Sequence, residues 1–271
     1  MKKNIIALSL AFAGVAATSL VFAEEAAPAA EAAPAVSPLT GNLTLASEYI
    51  YRGIGQTNRK PAIQGGFDYA FANGFYVGNW NSSISWLSDS GALVNGAPFN
   101  GAGSVSSNIE MDFYGGYKGT IVEDVPFDVG VLRYQYPGTY PTGFVSPNTT
   151  EIYGSVGYSF FTFKYSRSTG NLFGAADSKG SGYFDLSGNY DLGNGIIING
   201  HVGRQNVHGP FKDAASYTDY KIGATIDLSG YALAVAVIGT NAKGNDGEFY
   251  HNAFGKDLGK SRLFASIGKT F

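Results

Sequence analysis

The chain has 271 residues, no cysteine, 38 glycines, 18 tyrosines, 19 phenylalanines and a formal net charge of −3. Without cysteine there is no disulfide framework, thiolate metal site or lipid-attachment cysteine, and the mild acidity argues against nucleic acid as a partner. A charged fraction of 14%, against the roughly 25% of ordinary soluble domains, and an aromatic fraction of 14% describe a chain that keeps charge off a large surface.

Residues 1–23 carry the parts of a secretory signal peptide: Lys2 and Lys3, an apolar core, and Val21-Phe22-Ala23 as a small-residue cleavage site. An uncleaved membrane anchor is the other reading of that stretch. Cleavage after Ala23 removes Lys2 and Lys3 from the 18 basic residues and leaves a net charge of about −5. Residues 24–38, rich in Ala, Pro and Glu, read as an extended, disordered lead-in.

From residue 39 to 271 the period is two, which predicts an all-β domain of about 12 antiparallel strands. The first strand sets Leu43, Leu45, Tyr49 and Tyr51 against Thr44, Glu48 and Arg52. The second opposes Ile63, Phe67, Tyr69 and Phe71 to Gln64 and Asp68, and Asn73-Gly74 then turns the chain. In the third, Tyr76, Trp80, Ile84 and Trp86 share one face and Asn79, Asn81, Ser83 and Ser85 the other. The fourth opposes Ile109, Met111, Phe113 and Tyr117 to Glu110, Asp112 and Lys118; the fifth opposes Leu132, Tyr134 and Tyr136 to Val129, Arg133 and Gln135. The sixth to tenth carry Glu151, Lys164, Asp185, Asn199 with His201, and Asp219 with Lys221 on their polar faces. Residues 231–239 have Leu233, Val235 and Val237 on one side and alanines on the other, so their facing stays open.

The connections alternate in length. Those after even strands are tight, and those after odd strands are longer: 53–60, 87–106, 137–149, 168–180, 207–216 and 240–260. Outer-membrane barrels combine short periplasmic turns with longer extracellular loops, so this parity predicts a barrel with both ends of the chain periplasmic. Tyr49, Tyr51, Trp86, Tyr134 and Tyr136 are expected as an outer aromatic girdle, and Phe71, Tyr76, Tyr117, Tyr158, Phe163, Tyr190, Tyr231 and Phe271 as an inner one. The last strand, Leu263, Ala265, Ile267 and Phe271 on one face, should pair with the first and close the barrel. A secreted β-sandwich is the soluble rival; it would bury its apolar face and would not need the leader, the terminal Phe and the loop parity together.

Several motifs carry a resemblance. S-E-Y-I-Y-R-G (47–53), P-A-I-Q-G-G-F-D-Y (61–69), G-F-Y-V-G-N-W (74–80), Y-G-G-Y-K-G (114–119) and the closing S-I-G-K-T-F (266–271) make the mature chain similar to the TorF-type porin family of proteobacteria. The resemblance implies an outer-membrane barrel with a pore-like role, and the alternating last strand ending in Phe271 resembles the C-terminal signature by which the barrel-assembly machinery recognises bacterial outer-membrane proteins. It implies no particular solute.

Glu48, Arg52, Gln64, Asp68, Asn79, Asn81, Glu110, Asp112, Lys118, Arg133, Glu151, Lys164, Asp185, Asn199, His201, Asp219 and Lys221 are the expected lumen-lining residues. Glu48 and Arg52 lie about 13 Å apart along an extended strand and cannot pair with each other, so each needs a partner elsewhere on the wall or lines a solute path. No serine elbow, metal spacing or phosphate-loop context surrounds His201 or the Gly-x-Gly sequences. The chain thus reads as a cofactor-free, non-enzymatic outer-membrane channel for small hydrophilic solutes, with outer-membrane lipid around it. The rivals are an outer-membrane enzyme and a structural barrel with a plugged lumen. In residues 87–106, Leu93, Val94, Pro98 and Phe99 have little reason to face water, so the loop either folds partly inward as a constriction or packs on its neighbours.

Overall fold

The computed structural model describes residues 37–90, 93–94, 97–98 and 105–271; the expected signal peptide and nearly all of the lead-in lie outside these residues. Twelve strands form one closed antiparallel barrel: β1 Leu39–Ala46, β2 Ala62–Ala70, β3 Phe75–Ser83, β4 Ile109–Thr120, β5 Pro126–Gln135, β6 Thr149–Tyr158, β7 Phe161–Ser168, β8 Gly182–Gly193, β9 Ile196–Asn206, β10 Tyr217–Leu228, β11 Tyr231–Thr240 and β12 Arg262–Thr270. Each strand pairs with its neighbours in sequence. The seam is closed by β1 and β12, from Asn42 opposite Thr270 to Ala46 opposite Ser266. A strand can cross lipid only where no backbone edge is left unpaired, and this closure meets that condition. No helix among the described residues is long and apolar enough to cross a membrane.

The barrel is inside out by the standard of a soluble protein. Leu45, Ile63, Phe67, Phe113, Val156, Leu186, Ile222, Val235 and Leu263 are exposed on its outer wall, Leu263 at 76%. Such a continuous apolar belt has no place in water and is the lipid-facing surface of a membrane barrel. The short-turn rim carries its aromatic collar as expected: Phe71, Tyr117, Tyr158, Phe163, Tyr190, Tyr231 and Phe271 are exposed, with edge contacts such as Phe75–Tyr117 and Phe160–Tyr190. Lys269, which breaks the apolar face of β12, rests over the ring of Tyr231 at 4.5 Å. The turns at this rim are tight because their residues reach left-handed backbone; Ser229 and Gly230 join β10 to β11 with φ of 57° and 85°.

The expected outer girdle is not a girdle. β1 stops at Ala46, and residues 47–61 fold into the barrel instead of continuing up its wall. Tyr49, Trp80, Ile84, Leu87, Tyr134 and Tyr136 form one buried cluster inside the long-loop half, with Tyr51, Trp86 and Phe173 packed against it. Tyr76 is likewise buried, and so leaves the inner girdle. The physical reason is volume. A twelve-strand lumen that takes in an extra segment needs large side chains to fill the remaining space.

Two faces are therefore the reverse of the sequence expectation. Gln64 and Ser82, both buried, stand opposite each other, as do Asn79 and the exposed Phe67, so Asn79, Asn81 and Ser83 face outward while Tyr76, Trp80 and Ser82 face inward. On β5, Arg133 stands opposite the exposed Phe113, so it also faces outward, and Leu132 and Tyr134 are internal. The open question at β11 is resolved: Leu233, Val235 and Val237 face lipid, and Ala236 and Ile238 are buried inside.

Candidate functional site: the lumen and its hairpin

The segment after β1 makes a small hairpin within the lumen, Ile50–Tyr51 paired with Ile54–Gly55. Its turn is Arg52-Gly53, with φ of 46° and 79°, the primed geometry that matches the twist of two strands. Gly53 is required twice over. Its left-handed backbone favours glycine, and a Cβ there would run into Thr240 and Asp219. Ile50 sits in a second buried cluster with Ala46, Ala236, Ile238 and Phe264. The inward alanine of β11 thus leaves room for the hairpin.

At the base of the hairpin, Glu48 accepts a 2.7 Å bond from Arg262 Nε on β12 and a 3.0 Å bond from the backbone N–H of Arg59. At its tip Arg52 reaches the far wall, where Nη2 and Nη1 contact Glu151 of β6 at 2.7 and 3.1 Å and Nη1 donates to Gln205 of β9 at 2.8 Å. The guanidinium also lies 4.2 Å from the Tyr183 ring centroid. Glu48 and Arg52 each have an ion-pair partner, the pairing expected of buried charges, and one of the two pairs spans the lumen.

Above the tip, toward the long loops, the space is filled. Tyr49 and Tyr136 hydroxyls donate to Glu110 at 2.5 and 2.8 Å, and the Tyr51 hydroxyl donates to that of Tyr134 at 2.9 Å. The loops cap the hairpin from outside: Ser85 and Trp86 N–H groups bond the Gln56 carbonyl, and Asn252 and Lys256 bond Asn58. Leu87 and Val105, at the two ends of the loop expected to constrict the lumen, join the aromatic cluster. Within that loop Leu93–Val94 pairs with Ala97–Pro98, and Phe99 lies outside the described residues.

Below the tip, toward the short turns, lies a cavity of about 90 Å³. It is lined by Arg52, Lys164, Asp185, His201 and Lys221, with Tyr51, Tyr134, Tyr183, Ser187, Asn189 and Asn199 between them. Further round the wall Tyr114 donates to Asp68 at 2.7 Å, Tyr76 donates to Asp128 at 2.6 Å and bonds Tyr153, and Lys118 and Lys164 rest over the Tyr76 and Tyr153 rings. Of the residues expected inside, Glu48, Arg52, Gln64, Asp68, Glu110, Asp112, Lys118, Glu151, Lys164, Asp185, Asn199, His201, Asp219 and Lys221 face inward, and Asn79, Asn81 and Arg133 do not. Asp128 and Arg262 also face inward, in alternation with the lipid-facing Val129 and Leu263; sequence reasoning missed the first and read the second as inward from that alternation. Asp112 is fully buried, and neither of its oxygens has a hydrogen-bond partner among the described residues.

His201 stands between two carboxylates, with Nδ1 2.6 Å from Asp185 and Nε2 3.2 Å from Asp219. Ser187 lies opposite it across β8 and β9. A serine nucleophile needs a histidine nitrogen free to take its proton. Here both nitrogens are already engaged, an arrangement that braces three strands rather than activating a hydroxyl.

Comparison with known proteins places these features in context. Residues 29–271 match the family described as "Bacterial protein of unknown function (Gcw_chp)". No curated protein matches the chain. Among solved structures, the chain is similar in fold to the KdgM porin, at 7% identity and a TM-score of 0.50 over 86% of this chain and 98% of that one. Lower on the scale are LpxR from Salmonella typhimurium, at 11% identity, TM-score 0.41 and coverage of 86% and 99%, and OprD from Pseudomonas aeruginosa, at 11%, 0.38, and 84% and 66%. The likeness to the first is one of fold.

Proposed function

We propose that this chain, which belongs to the Gcw_chp family, is an outer-membrane channel for passive diffusion of small hydrophilic solutes, narrowed by its internal hairpin. The observation that carries this reading is the charged and hydroxylated cavity of about 90 Å³ inside a closed, lipid-belted barrel. A barrel made only to be a rigid post has no need to keep water-sized room lined by lysine, aspartate and histidine, because each such group costs free energy to enclose. The similarity of its motifs to TorF-type porins supports the same conclusion, as does the likeness in fold to the KdgM porin. On this reading the short turns face the periplasm, the long loops face outside, and the strand ending in Phe271 is what the assembly machinery recognises.

The hairpin divides the lumen into a polar periplasmic chamber and a filled outer half. Selection of solutes then acts at the level of Arg52, Glu151 and Gln205, where the chamber ends. The plugged-barrel alternative rests on the same hairpin, since the aromatic cluster of Tyr49, Trp80 and Tyr134 occupies the route to the outer rim. Liposomes containing the refolded protein should swell in isotonic solutions of small sugars or amino acids, faster for smaller solutes. Swelling no faster than that of empty liposomes would favour the plug.

A further inference from the structure

The three outward arginines near the long-loop rim remain without a role in the channel. Arg133 on β5, Arg167 on β7 and Arg204 on β9 each stand one or two residues before the end of their strand. All three share the outer face with lipid-facing residues. Arg133 is opposite Phe113 on one side and Thr150 on the other; Arg167 is opposite Ile152; Arg204 is opposite Phe184.

They lie at one height. The row through Arg133 and Thr150 passes two residues above Ile152 and Arg167, and the row through Arg167 and Gly182 passes two residues above Phe184 and Arg204. A closed barrel has tilted strands whose register steps by a residue or so per strand, so an offset of two residues over two strands keeps a constant level. Successive arginines are therefore about 12 Å apart along the wall, from about 4.8 Å per strand and 3.3 Å per residue. Directly beneath them on the same strands are Val131, Tyr165 and Val202, part of the apolar belt.

None of the three has a carboxylate within ion-pair distance among the described residues. Their bonds are to neutral groups only: Arg133 to Thr150 and Gln135, and Arg204 to Asn206 and Thr218. Arg167 and Arg204 are exposed and Arg133 is half-buried. A guanidinium fork at the upper border of a lipid belt, without a carboxylate partner among the described residues, is suited to bidentate contact with phosphate.

We propose that these arginines bind the phosphate groups of outer-leaflet lipid headgroups and so fix the depth and tilt of the barrel in the membrane. The inference rests on the outward orientation of the long loops in the reading above. Its test uses the full-length folded protein in detergent, with lipid A carrying two phosphates and the same lipid chemically dephosphorylated as probes, and native mass spectrometry to count bound lipid. The parent should retain the phosphorylated lipid about tenfold or more in preference to the dephosphorylated one. The Arg133→Gln, Arg167→Gln, Arg204→Gln triple variant should bring that ratio near one, and the corresponding Lys triple should keep an intermediate ratio because charge remains while the fork is lost. Should the Gln triple fail to fold, the single variants must each lower the ratio. Equal retention of the two lipids by the parent, or an unchanged ratio in the Gln variants, overturns the proposal. Conductance of the same parent preparation separates the two claims: a conducting protein with no phosphate preference refutes the arginine site alone, and a silent one that keeps the preference refutes the channel alone.

Discussion

Replacing Arg52 with alanine is the sharpest perturbation of the hairpin. The side chains of Arg52 and Glu151 are 9% and 2% exposed and meet at 2.7 Å, so the substitution strands a buried carboxylate and unpairs Gln205. Breaking a buried pair by removing one partner costs about 3–5 kcal/mol, and even the lower figure changes the ratio of docked to undocked hairpin by roughly 150-fold. The docked hairpin still has Tyr49 and Ile50 holding it, each fully or nearly fully buried. The expected result in a planar bilayer is therefore longer or larger open events, with a lowered melting temperature. Arg52→Ala combined with Glu151→Gln should recover part of the stability, because no uncompensated charge remains, while keeping the altered gating. Conductance identical to the parent in a folded Arg52→Ala protein would refute the idea that the hairpin sets the narrow level.

Three further outcomes follow from the facing of particular side chains. An epitope inserted at Gly244, in the long connection between β11 and β12, should be labelled on intact cells; labelling only after the outer membrane is permeabilised would reverse the orientation. The absence of native cysteine makes single-cysteine scanning clean: Asn79→Cys and Asn81→Cys should resist a membrane-impermeant thiol reagent, whereas Asn189→Cys, which lines the chamber, should react with it. The lumen holds the carboxylates Glu48, Asp68, Glu110, Asp112, Asp128, Glu151, Asp185 and Asp219 against the cations Arg52, Lys118, Lys164, Lys221 and Arg262. A KCl gradient at low ionic strength should then give a reversal potential of modest K⁺ preference, reduced by Glu110→Gln with Asp112→Asn. Anion preference in the parent would show that Arg52, Lys164 and Lys221 govern the narrow level.

Strand existence, strand number and loop parity were legible because alternation and turn residues are local signals. Closure by β12 onto β1 was legible too, from an alternating last strand with an even count before it. What failed was phase at β3 and β5, and in both the cause was the same: Tyr76, Trp80, Leu132 and Tyr134 were assigned to lipid because they are large and apolar. In this barrel they fill the lumen beside the hairpin. The turn held the missing information. Phe71 N–H bonds the Phe75 carbonyl, so a three-residue loop rather than a two-residue one joins β2 to β3, and a one-residue change in turn length flips every side chain of the strand that follows it. Asn79 and Asn81 looked lumenal for the complementary reason, yet their amides donate to the backbone carbonyls of Asp112 and Gly65, which lets them sit on the outer face. The inward fold of residues 47–61 was hidden because Tyr49 and Tyr51 keep strand-like alternation. Its cause is tertiary: Arg262 and Glu151, 214 and 99 residues away in sequence from Glu48 and Arg52, provide the anchors.

The most direct test of the channel is a planar-bilayer recording of the purified, refolded parent, with folding established by heat-modifiable migration in a gel. The account predicts discrete conductance steps of one dominant size, because a single hairpin sets the narrow level in every barrel. Silent insertion of correctly folded protein, with no steps over a range of applied voltage, would contradict it and leave the barrel plugged.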